Sequence, residues 1–512
     1  FARKFFNDKT AQTEYLISRM SKLAGDKDAI QRGHDDLIAG RDTQDAKNYL
    51  AFQAEVDAHV SQFDPSHKAK KGVRSHLDIA AIDKDRQGFL KILAEAGIKD
   101  GHKILEDAFD GEGIPEWAIN PNASKSTYNK IDMLDGVMDA LRDGGFLDTD
   151  APRHLTNYIN AAATWASWNK HSAIDGDSHA NFNRLFSEVH PSNKGEATRL
   201  FHGITGKNGI STPPWVRKFN SAVMAFQSAT IMWFSAVASI PELAGVYSRG
   251  RGTIDGVGDD FAKLLTGRGR DELRKIATDY DIISGEVTEH ALQRLMAMDD
   301  LTTGRLSQKV TNTVFKMNGQ IWLTEINRAL ATSVAKRFLE HHANSSDPSS
   351  KRMLAELGTD SKTVNDYLKS GDITSPAGRN YRDAAHRFVN ESVTNPTRGQ
   401  VPLIASDPRF MILSTLKKFF YGFYDNVHKG LYRNLKASKA EQKQMEALKA
   451  MLITGAVILP LAALAEIIRE EIKYPLGRPT DKKKSLTDHL INVVGASGAL
   501  GPMQMAQNAS EM

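Results

Sequence analysis

Four short stretches carry residue types whose spacing can support chemistry. His171, Asp175, Asp177 and His179 lie together in HSAIDGDSH, a set of imidazoles and carboxylates that suits a divalent cation. Asp and Gly at this density also make a solvated turn with no ion bound. The run DKDRQGFLKILA puts Asp83, Asp85 and Gly88 at the first, third and sixth places of a calcium loop. It then puts Lys91 at the ninth place and Ala94 where the bidentate carboxylate must stand, so it does not read as a calcium site. HGITGKN matches a phosphate loop only at Gly206 and Lys207, because Phe201 takes the place of the first glycine and Asn208 that of the magnesium-binding hydroxyl. GRGTIDG, around Gly252, follows no β-type run, which removes the context a dinucleotide fingerprint needs. His341 and His342 adjoin at a helix end and point about 100° apart, which suits cations facing the helix C-terminus better than paired metal ligands. No Ser, His and Asp grouping sits in a nucleophile-elbow context. The sequence therefore nominates no catalytic, cofactor-binding or metal-ligating residue, and the expectation is a protein that is not an enzyme and carries no cofactor.

A different chemistry is concentrated between Asp407 and Lys449. Nine basic residues stand there against four acidic ones, a surplus of five that exceeds the +4 of the whole chain. The cations Arg409, Lys417, Lys418, Lys429, Arg433 and Lys436 are interleaved with Phe419, Phe420, Tyr421, Phe423 and Tyr424; Phe410 and Tyr432 extend the pattern. Cations beside aromatic rings suit lipid headgroups or a nucleic-acid backbone, and these residues are the candidate DNA- or membrane-contacting set. Aromatic residues at such spacing also build ordinary helix cores, with lysines flanking them.

Two apolar stretches need cover. FNSAVMAFQSATIMWFSAVASIP, from Phe219 to Pro241, has no charge and is long enough to cross a bilayer, yet its Asn220, Gln227, Ser228 and Thr230 suit a buried core helix equally well. AMLITGAVILPLAALA, from Ala450 to Ala465, is more apolar but short, and Pro460 interrupts it. Leu452, Ile453, Val457, Ile458, Leu459, Leu461 and Leu464 form the candidate envelope-facing or assembly helix, since a helix apolar all round must be covered by protein, lipid or a partner.

The elements that position these residues read as helices throughout. Leu16, Met20 and Leu23 share a face in a first helix for which Asn7 or Thr10 is the expected cap. Tyr49, Phe52, Val56, Val60 and Phe63 trace one face of another, and Phe89, Ile92 and Leu93 mark a third. Leu155, Tyr158, Ile159, Ala162, Trp165 and Trp168 follow the same period. Proline is sparse, at 17 residues, and falls mostly between periodic stretches. The predicted fold is all-α: elongated, multi-lobed helical bundles with long helices and little or no β-structure. Five regions are expected. They are an N-terminal helical region 1–115, a helical lobe 116–214, a central region 215–345 holding the long uncharged helix, a linker with a helical segment 346–408, and a C-terminal region 409–512. Within them, SHKAKKGVRSH, the segment Asp107 to Thr127, His202 to Pro214, ANSSDPSSKR and TSPAGRN read as breaks.

Length and composition bound the rest. A chain of 512 residues is too long for one ordinary domain, and 41% hydrophobic with 25% charged residues is the balance of a folded protein. There is no cysteine, which removes disulfides, thiolate metal sites and thiol nucleophiles together. A start at Phe1 reads as a fragment or a processed product.

The segment RFVNESVTNPTRGQVPLIASDPRFMILSTLKKFFYGFYDNV, Arg387 to Val427, is followed by an apolar stretch and by INVVGASGALGP, Ile491 to Pro502. Together they resemble the C-terminal regions of very large phage virion proteins, and Asn220 to Leu243 resembles another element that recurs in those chains. The family includes the internal core, or ejection, proteins of short-tailed bacteriophages and the polyvalent proteins that phages package. The resemblance spans about residues 215 to 510. It implies an α-helical protein stored inside the capsid near the portal and ejected to the host periplasm and inner membrane as part of an oligomeric genome-delivery channel. The partners it implies are further copies of the chain, other ejection proteins, the portal, genomic DNA and the host inner membrane. The alternative is a packaged phage enzyme or antirestriction protein, or the packaging region of a giant virion polymerase, acting on DNA or peptidoglycan.

Overall fold

A computed structural model describes residues 2–24, 27–61, 78–99, 137–147, 180–205, 266–283, 319–393 and 429–440 as continuous stretches, with isolated positions between them. Of the described residues 82% are helical, and none of them forms a strand or sheet. The all-α class predicted from periodicity is what the chain adopts. The helices are α1 (Ala2–Ala24), α2 (Lys27–Ile38), α3 (Gln44–Ser61), α4 (Ile79–Lys84), α5 (Arg86–Glu95), α6 (Val137–Asp143), α7 (Ala180–Ser187) and α8 (Lys194–Thr205). They continue with α9 (Gly267–Asp279), α10 (Gln320–Ala343), α11 (Pro348–Glu356), α12 (Ser361–Ser370), α13 (Pro376–Ser392) and α14 (Lys429–Ala440). The chain divides into two compact units, one of residues 1–221, 298–304 and 402–411, the other of 222–297, 305–401 and 412–512.

In the first unit α1, α2 and α3 pack on one another. Leu16, Ile17 and Met20 of α1 are buried, as are Tyr49, Phe52 and Val56 of α3, which is the face that the apolar spacing marks. Asn7 and Thr10 do not cap α1, because the helix already begins at Ala2; Thr10 is instead buried in its interior. Phe89 and Leu93 of α5 are fully buried with Ile82, Val137, Leu141 and Phe146. Phe89 and Phe146 meet edge to face at 5.6 Å, an arrangement that adds to the area they bury. Leu155, Ile159 and Trp168 are helical and buried at the expected period, and Trp168 lies edge-on to Phe201 at 5.3 Å. His202 to Thr205, expected in a loop, complete α8.

In the second unit α10 is the centre. Its residues 326–335 are buried on every side, and α9, α11, α12 and α13 pack around it. Ala329, Ala331 and Ala335 keep its surface low, so neighbouring backbones approach closely, while Leu330, Val334, Phe338 and Leu339 fill the spaces between. Each of these larger side chains contributes about 1.5–3 kcal/mol by leaving water. Tyr381, Ala384, Phe388 and Val389 of α13 complete the core.

Two of the expected breaks are present, at 344–347 and 371–375, and each runs directly into a helix start. Within ANSSDPSSKR the break ends at Asp347, and Pro348 opens α11 as its first residue. In TSPAGRN, Ser375 caps α13 by accepting from the Gly378 amide at 3.0 Å, and Pro376 again takes the first position. A proline there surrenders only an amide that the helix leaves unpaired anyway. The stretch read as a linker with a helical segment therefore holds, through residue 393, three helices of this core.

Candidate functional site

The cationic and aromatic pattern reaches the described residues at α14. Leu431 and Ser438 are buried and Leu435 half-buried, an i, i+4, i+7 series that fixes the inward face. The Ser438 hydroxyl donates back to the Leu435 carbonyl at 2.8 Å. Tyr432, Arg433 and Lys436 are exposed, Tyr432 at 64%, and Lys429 is the first residue of the helix. The helix thus turns Leu431, Leu435 and Ser438 inward and leaves Tyr432, Arg433 and Lys436 exposed.

Beyond it, Met445, Leu448 and Leu452 are each helical and each exposed, at 76%, 43% and 69%. They stand three and four residues apart in the sequence. Leu452 belongs to the nominated apolar set; Met445 and Leu448 were not nominated, although their register with Leu452 is visible in the sequence. Arg409, Lys417, Lys418, Phe419, Phe420, Tyr421, Phe423 and Tyr424 lie outside the described residues, as do Ile453, Val457, Ile458, Leu459, Leu461 and Leu464.

The catalytic look-alikes resolve into structural roles wherever they are described. His171 Nε2 meets Asp8 Oδ2 at 2.5 Å, linking a helical residue to α1; Asp175, Asp177 and His179 lie outside the described residues. Asp83 pairs with Arg86 at 2.6 Å, and Asp85 caps α5 by accepting from the Gly88 amide at 2.9 Å. The carboxylates of the calcium-like run are thus engaged in breaking and restarting a helix. Phe201 is buried in α8. His341 and His342 both lie in the last turn of α10, but only His341 is exposed. His342 is buried against Phe338, ring centres 4.3 Å apart, with Nδ1 2.8 Å from the Ser350 hydroxyl of α11. Among the described residues no group of three or more His, Asp and Glu is arranged to hold a metal ion.

The sequence did not announce a polar seam inside the second unit. Arg328 of α10 is 1% exposed; its Nε donates to the Ile282 carbonyl at 3.2 Å and its Nη1 to Asn390 Oδ1 at 3.3 Å. His386 of α13, fully buried, donates from Nε2 to the Tyr280 carbonyl at 3.0 Å. Both contacts land on the end of α9, where Asp281 adopts a positive φ of 58°. Glu391 pairs with Arg249 at 2.5 Å, and Arg249 lies 3.8 Å from Glu356 of α11. Nearby, Tyr280, Tyr367 and Tyr381 form a ring cluster. Burial is the main cause that holds the Tyr280 and Tyr381 phenols well above the ordinary value, so both stay protonated. The seam saturates backbone carbonyls where a helix stops and locks α13 against α10, a structural task.

Among the described residues no helix is long and apolar enough to cross a membrane. No protein-family model, curated protein or solved structure matches the chain.

Proposed function

We propose that this chain is an internal virion protein of a short-tailed bacteriophage, packaged in the capsid interior and ejected to the host periplasm and inner membrane. There it forms part of an oligomeric genome-delivery channel, with its C-terminal region as an outward-facing contact surface. The observation that carries this reading is the exposure of Met445, Leu448 and Leu452 beyond the exposed cations of α14. Large apolar side chains left exposed within one short stretch of sequence suit an interaction surface. They fall in the part of the chain that resembles phage virion proteins. The all-α fold agrees with that resemblance. The partners of such a protein are further copies, other ejection proteins, the portal, genomic DNA and the host inner membrane.

Fractionation of newly infected cells under a block of protein synthesis tests this role. Any chain found in the host then arrived with the particle. The reading predicts the protein in the envelope fraction; its confinement to unadsorbed particles or empty capsids contradicts the reading.

A further inference from the structure

The sequence of α14 sets a cationic stripe opposite the residues that the helix buries. Lys429, Tyr432, Lys436 and Lys439 stand three, four and three residues apart, the positions of one helix face over about 15 Å. Tyr432 and Lys436 are exposed, whereas Leu431, Leu435 and Ser438 lie on the inward side. α14 contains no acidic residue, so no carboxylate of its own offsets these cations. Arg433 is exposed as well but already has an interaction within the chain, and it is left out of the site. A second copy apposed through this face would set cation against cation. An anionic bilayer holds a helix firmly only where apolar side chains also enter the acyl layer, and no aliphatic residue stands at these four positions. A nucleic-acid backbone needs the cations alone, because each phosphate they neutralise releases condensed counterions.

We propose that the face of α14 marked by Tyr432 and Lys436, with Lys429 and Lys439 in register, is a contact site for the backbone of a nucleic-acid duplex. The Lys436 ammonium meets a phosphate, and the Tyr432 hydroxyl donates to a neighbouring phosphate or sugar oxygen. Such contacts position a duplex without reading its bases, so binding is independent of sequence. The whole chain carries a net charge of only +4, so the local face rather than the overall charge directs the contact. This deepens the delivery role proposed above, on which it rests for the source of the DNA.

Fluorescence anisotropy of the full 512-residue chain with labelled DNA duplexes of two unrelated sequences tests the site over a series of salt concentrations. Both duplexes should bind alike, and binding should weaken as salt rises. Lys436→Gln should weaken binding about fivefold at physiological salt and make the slope of log K against log salt shallower by about 0.9, the share of one phosphate contact. Tyr432→Ala should weaken binding with the slope unchanged, since a hydroxyl displaces no counterion. Lys362→Gln, at an exposed position of α12, removes the same charge and should leave binding as it was. All three residues are exposed, so the helical circular-dichroism spectrum should be retained in each variant. A chain that binds neither duplex overturns the proposal, as does an unchanged slope in the folded Lys436→Gln variant. A loss in Lys362→Gln equal to that in Lys436→Gln, or a strong preference for one duplex, also overturns it. Binding to vesicles of phosphatidylglycerol without binding to DNA assigns the face to lipid and overturns it too. Failure here leaves the protein's presence in virions intact, whereas absence from virions leaves a duplex result standing.

Discussion

At the scale of single residues, His171, Asp83, Asp85 and His342, which looked suited to chemistry, are held by structural partners, and the strongest constraints come from groups with no motif. Arg328 brings a guanidinium into the core of the second unit, and Asn390 supplies one of its acceptors. Asn390→Ala leaves that donor without its partner and should cost about 1–3 kcal/mol, seen as a lower thermal midpoint of the second unit. Asn390→Asp, which keeps an acceptor, should lose less. An unchanged midpoint in the alanine variant would show that the contact carries no stability. At the surface, Asp372 Oδ1 accepts from the Thr374 hydroxyl at 2.6 Å and the Thr374 amide at 2.9 Å. The hydroxyl bond is the main cause that holds the Asp372 carboxyl below the usual 3.8. Its contribution to stability is present above the ordinary aspartate value and is lost as pH falls through the lowered folded value. A side-chain NMR titration should find the Asp372 midpoint below 3.8, and Thr374→Val should move it upward; a midpoint at the ordinary value would show the bond to be absent in solution.

At the scale of elements, periodic apolar spacing marked the buried faces, and punctuation marked breaks whose bounds it drew too wide. The buried faces of α3 and α5 follow directly from Tyr49, Phe52 and Val56 and from Phe89 and Leu93, because one face of each helix is apolar and nothing competes with that pattern. Pro348 and Pro376 fell inside the expected breaks because a proline next to serines or glycine reads as loop, whereas after an N-cap residue it is the first residue of a helix. The central part of α10 is polar enough to pass for a surface helix; Asn327, Arg328, Thr332 and Ser333 are buried only because other helices surround it. No single-helix pattern encodes that. The candidate contact set was legible in part: the cations of α14 stood out, while Met445 and Leu448 sit among Lys443, Glu446 and Lys449 and were passed over. The start of α13 offers a test of how such elements are fixed. Ser375→Ala removes its cap and should cost about 1 kcal/mol. Gly378→Ala should cost more, because a methyl there would fall inside van der Waals contact with the backbone of Asp372 and Ile373, which has no flexible end to yield. Chemical denaturation of the two variants reads the order directly; equal stability would contradict the close approach.

At the scale of the whole molecule, two helical units each bury a core, while Tyr432, Arg433, Lys436, Met445, Leu448 and Leu452 of the second are exposed. A protein that only had to be stable would gain by covering Met445, Leu448 and Leu452, each of which forgoes a sizeable share of the 1.5–3 kcal/mol, roughly, that full burial of such a side chain returns. Leaving them outside is reasonable for a chain that completes its structure on a partner. The absence of cysteine fits a protein that passes from capsid to periplasm, since no thiol is there to cross-link on the way. Packaging followed by delivery is the central claim, and quantitative mass spectrometry of purified particles before and after triggered DNA ejection measures it most directly. The account predicts several copies of this chain in each full particle and their loss from the emptied ones. A chain absent from full particles, or retained in emptied ones at its original abundance, contradicts it.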